Sequence, residues 1–141
     1  MRLEPVFLAN VALALSENAD FVNFAQVSKA CQQSLLLLRT NPNVSSMSQA
    51  GFSPSPFSIK KTLALFRNIN TLVVPNSSDL SQVDSLPRTI TRIVVNSWDF
   101  SNSHAGKLFI PLVVSINNAL VSWDQPADLS SFVTLEKLTI K

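Results

Sequence analysis

Four short segments of this chain carry one template: an apolar residue, two others, a second apolar residue, one other, and a third apolar residue. They are Ile69-Asn70-Thr71-Leu72-Val73-Val74, Ile90-Thr91-Arg92-Ile93-Val94-Val95, Phe109-Ile110-Pro111-Leu112-Val113-Val114 and Leu135-Glu136-Lys137-Leu138-Thr139-Ile140. Runs this rich in Val, Ile and Leu suit extended backbone. Their starts at 69, 90, 109 and 135 are 21, 19 and 26 residues apart. That interval holds one strand and a return segment, a unit too small to bury its own apolar side, so it must stack on a neighbour. The pattern therefore predicts strands over 69–74, 90–95, 109–114 and 135–140, side by side and parallel in one curved sheet, with the return segments behind it. Apolar hexamers also arise by chance in any sheet protein. The third copy is the least regular, because Pro111 lacks an amide hydrogen and belongs at a strand start or edge.

The spacing lies in or just outside the roughly 20 to 29 residues of leucine-rich repeats. Such repeats place an Asn or Cys after the strand, where it hydrogen-bonds the backbone of the turn. The third copy has Asn117 three places beyond Val114, whereas Ser77 and Trp98 hold that place in the first two.

The residues before the repeats read differently. Pro5 suits a first helical position, and Leu3, Val6, Phe7, Val11, Ala14 and Leu15 recur at spacings of three and four, marking one apolar face. Ser16-Glu17-Asn18 breaks that helix, and Asn18 or Asp20 can cap a second one carrying Phe21, Phe24, Ala25 and Val27. Ser28 can cap a third, with Cys31, Leu35 and Leu38 along one side and Asn41-Pro42 as its stop. Three such helices are too small to hold a large core alone. The chain divides into a helical segment at 1–44, a Ser/Pro-rich linker or loop at 45–58 centred on Ser53-Pro54-Ser55-Pro56, and a repeat-like segment at 59–141. The last opens with a short helix carrying Ile59, Leu63 and Phe66.

Composition narrows the function. Charged residues make up 14% of the chain and apolar ones 46%, against about 25% charged in an average soluble domain. Basic residues are scattered, and Lys60-Lys61 is their only adjacent pair, so no footprint for nucleic acid or an acidic membrane is present. The apolar run Val6 to Leu15 is interrupted by Asn10 and is too short for the roughly 20 residues of a membrane span. Read as a signal peptide, it would place Glu4 and Pro5 in the positive region, which argues against secretion. The triplets Asn43-Val44-Ser45 and Asn76-Ser77-Ser78 then carry no glycosylation meaning. The single cysteine, Cys31, reads as a buried thiol in a reducing compartment, cytoplasmic or nuclear.

Chemistry is sparse. His104 is the only histidine, and one such donor cannot make a zinc site. Gly51 and Gly106 are the only glycines, too few for a phosphate loop. Asp124 and Asp128 flank Pro126 as turn residues. No catalytic set, cofactor or metal is expected. Trp98 and Trp123 read as core residues, or otherwise as anchors on a binding surface.

The run LEPVFLANVALALSENADFVNFAQVSKACQQSLLLLRTNP resembles an F-box, with Leu3 and Pro5 at its start, Asp20 before the second helix and the string Val27-Ser28-Lys29. With the phrase LFRNINTLVV that follows, the whole chain resembles the amoebic family of leucine-rich-repeat proteins with F-box-like N-terminal helices. That resemblance implies an α/β fold, a short helical F-box-like unit followed by a partial leucine-rich-repeat solenoid with parallel strands. It implies a substrate receptor that links a target protein to the Skp-type adaptor of a cullin-RING ubiquitin ligase. Leu3, Pro5, Val6, Phe7, Val11, Leu15 and Val27 would then face the adaptor. The alternative is a recognition scaffold whose helices only cap the repeats. At the other end, Leu135, Leu138 and Ile140 would lie at an open strand edge, which is expected either to meet further repeats or to self-associate.

Overall fold

The computed structural model describes residues 4–15, 18–42, 58–101, 107–121 and 129–140. The central linker at 45–57, Leu3, His104, both glycines, Trp123, Asp124 and Asp128 lie outside them.

Three helices open the chain: α1 (Pro5–Leu13), α2 (Asn18–Val27) and α3 (Lys29–Leu35). Pro5 stands in the first turn of α1, where its missing amide hydrogen costs nothing. Ser28 caps α3 as its position predicts, its hydroxyl accepting from the Cys31 amide at 3.2 Å. Both α1 and α2 pack on α3. The third helix ends at Leu35, earlier than the Asn41-Pro42 stop suggests. Leu36, Leu37 and Leu38 donate to the carbonyls of Gln33, Ser34 and Leu35, tighter turns that release the chain to run extended. A fourth helix, α4 (Ile59–Leu65), is capped by Ser58.

The strands are β1 (Thr71–Asn76), β2 (Arg92–Asp99), β3 (Val113–Leu120) and β4 (Lys137–Ile140). They form one sheet in the order β1-β2-β3-β4, every neighbouring pair parallel, as the repeated template predicts. Each starts two to four residues later than expected. The leading apolar residues Ile69 and Ile90 are buried, but they sit in the approach to the strand. The amides of Asn70 and Thr71 both donate to the Arg39 carbonyl, and those of Thr91 and Arg92 both donate to that of Asn70.

The third segment needs the largest correction. Phe109 to Leu112 belong to a 3-10 helix (Lys107–Leu112) that contains Pro111, and the strand begins only at Val113. Proline cannot donate to a ladder, so extension is delayed past it. In register, Val74, Val95, Ile116 and Leu138 stand level, at positions whose steps are 21, 21 and 22 residues. The spacing of these level positions is thus more regular than that of the sequence template. Val114 is inserted in β3 between the partners of Ile93 and Val94, a bulge that hides the period from a reading of apolar spacing.

One side of the sheet is the core. Leu72, Val74, Ile93, Val95, Val113 and Ile116 are fully buried there, in a single cluster with Leu80 of the return helix Ser77–Gln82. The helical segment shares this cluster through Ala12, Phe21, Leu35 and Leu38. Phe21 meets Phe66 edge-on at 5.4 Å between ring centroids. Trp98 is buried, as read from the sequence, and packs edge-on against Phe132 at 5.0 Å with Phe100 beside both.

The two sides of the sheet end differently. Thr40 bridges Thr71 in parallel, and the Asn41 side chain continues the pairing: its Oδ1 accepts from the Val73 amide at 2.8 Å and its Nδ2 donates to the Val73 carbonyl at 2.9 Å. The helical segment therefore closes the outer edge of β1. Among the described residues, nothing pairs with the outer edge of β4.

Candidate interaction surfaces

The first surface is the outside of α1. The sequence of this helix, PVFLANVAL, holds no charge, and its only fully buried side chain is Ala12. Its one polar side chain, Asn10, is exposed and lies among the outward residues, and no other polar group is available to face water. Val6 and Phe7 are each 59% exposed, Val11 49% and Leu13 45%. The face marked in the sequence by Val6, Phe7, Val11 and Ala14 is thus the outward one, and α1 turns the smaller Ala12, with Leu8 and Ala9 half-buried, to the core. Small inward residues let a short helix sit close to α3.

Of the residues expected to face an adaptor, Val6, Phe7 and Val11 lie together on this stripe. Val27 is the most exposed of them at 74%, but it ends α2 and is not part of the stripe. Pro5 is half-buried, and Leu15 packs against the core. Leu3 lies outside the described residues. Leu13 and Val22 also stand exposed, and neither is among the residues singled out above.

The second surface is the side of the sheet turned away from the core. Val73, Val94, Ser115 and Lys137 stand level across the strands. Beside them Asn117 donates from Nδ2 to Asn96 Oδ1 at 2.8 Å, and Ser115 Oγ reaches Asn117 Oδ1 at 3.3 Å. Asn117 therefore links neighbouring strands and does not hold a turn, as its distance from Val114 had suggested. With Ile116 as the level residue, the position three beyond is Ala119, level with Trp98. Ser77, at the same place in the first copy, reaches the neighbouring strand, its hydroxyl accepting from the amide of Asp99 at the end of β2 at 3.4 Å. Arg92 and Glu136 pair at 2.8 Å from β2 to the approach of β4, both largely exposed, a contact worth about 0–1 kcal/mol.

At the end of β1, Asn76 and Asp79 form a reciprocal capping box, the Asn76 amide donating to Asp79 Oδ2 at 3.0 Å. Burial pushes the Asp79 carboxyl above its usual value of 3.8, and the Asn76 amide pulls it only part of the way back. Cys31 is a free, buried thiol that receives the Ser28 hydroxyl at 3.3 Å. Among the described residues no group of three or more His, Cys, Asp and Glu side chains could hold a metal, and no helix is long and apolar enough to cross a membrane. Compared with known protein families, curated proteins and solved structures, the chain matches none.

Proposed function

We propose that the chain is a non-catalytic protein-interaction module, in which α1 docks on the Skp-type adaptor of a cullin-RING ubiquitin ligase and the repeat-like sheet recruits a target. On this reading the sheet is the opening of a leucine-rich-repeat solenoid. Its strands follow one another in sequence order at steps of 21, 21 and 22 residues, which supports that assignment. Buried, unpaired Cys31 fits a reducing compartment, cytoplasmic or nuclear.

The observation that carries the proposal is the exposed, uncharged stripe of Val6, Phe7, Val11 and Leu13. The second reading, a scaffold whose helices only cap the array, draws support from Asn41, which closes the β1 edge. The two readings differ on the outside of the helices. A terminal cap keeps a solenoid soluble by turning a polar face outward. Here the outward face is uncharged and, apart from Asn10, apolar, so closure of the β1 edge leaves α1 with surface that closure does not explain, and clustered apolar surface marks an interaction site.

The test is capture of a purified Skp-type adaptor on immobilised protein. The double substitution Phe7→Asp with Val11→Asp is expected to abolish capture while leaving the unfolding free energy measured in urea within about 0.5 kcal/mol, because both side chains are already largely exposed. No capture by the unaltered chain, or capture that survives the double change in a folded protein, overturns the adaptor assignment and leaves the scaffold reading.

A further inference from the structure

We draw no further inference here: the strongest candidate, the outer edge of β4 where Ile140 is exposed, carries nothing because nothing in the structure shows what covers it.

Discussion

Asn41 does for β1 what a peptide group of a preceding strand would do. Its carboxamide offers one donor and one acceptor, the same pair as a backbone unit, and both meet Val73 while the side chain itself is buried. Asn41→Ala removes both partners of the part-buried Val73 amide and carbonyl. The expected loss is about 1–3 kcal/mol in urea denaturation with an unchanged slope. An unchanged midpoint would mean that the pairing adds nothing to stability. Asp79 acts through protons. Its pKa in the folded chain is raised, so the folded state holds the acid's proton more tightly than the unfolded state does. The contribution is therefore fully present below the ordinary carboxylate value of 3.8 and is lost as pH rises through the raised one. Asp79→Asn keeps an acceptor for the Asn76 amide without the charge. The substituted protein should gain stability relative to the parent as pH rises across this window, and the gap should narrow below it. Paired urea titrations at each pH measure the difference, and a gap that widens toward acid would contradict the assignment.

At the scale of elements, the helical segment and the sheet are joined where Phe21 of α2 meets Phe66 just beyond α4. Phe21→Ala should cost about 3–5 kcal/mol, the range for emptying a buried aromatic site. Because the cluster runs unbroken from Ala12 to Phe132, the loss should appear in both parts at once. Far-ultraviolet circular dichroism and tryptophan fluorescence are expected to report one coincident transition, in the parent and in the variant. Two separated transitions would show that the helices fold independently of the repeats. How far these elements were legible differs from one to the next. Pro5 and Ser28 announce helix starts because each acts within one turn, on groups that the sequence alone specifies. The parallel strands were legible through their period. Their limits were not, since Ile69 and Ile90 are buried like strand residues while their backbones turn. Val114 and Pro111 displaced the third copy for the same reason: burial is visible in residue type, whereas a bulge is settled by the partner strand. The direction of α1 was only faintly legible, because among its nine residues Asn10 alone is polar, and a single amide is a weak guide to which side faces water.

In the whole molecule, two surfaces of different character face away from one shared core. The outside of α1 is uncharged, while the open side of the sheet mixes Val73 and Val94 with Ser115, Asn96, Asn117 and the Arg92–Glu136 pair. A receptor that brings two proteins together needs surfaces that can be altered one at a time, and substitutions at distant sites without shared partners act nearly independently. Val94 is half-buried on the open side, level with Val73 and Ser115 and flanked by no ionisable neighbour in its register row before Lys137. Val94→Lys puts a second cation in that row, which on the receptor proposal should weaken binding of a target that covers the row while leaving adaptor capture by α1 intact. Phe7→Asp with Val11→Asp should do the reverse. Quantitative mass spectrometry of what co-purifies with the parent and with each variant from source lysate measures both effects together. The receptor proposal requires one set of proteins to fall away with the Val94 change and the adaptor alone with the α1 change. If both variants lost the same proteins while remaining folded, the molecule would have a single binding surface, and the division of labour between helices and sheet would be wrong.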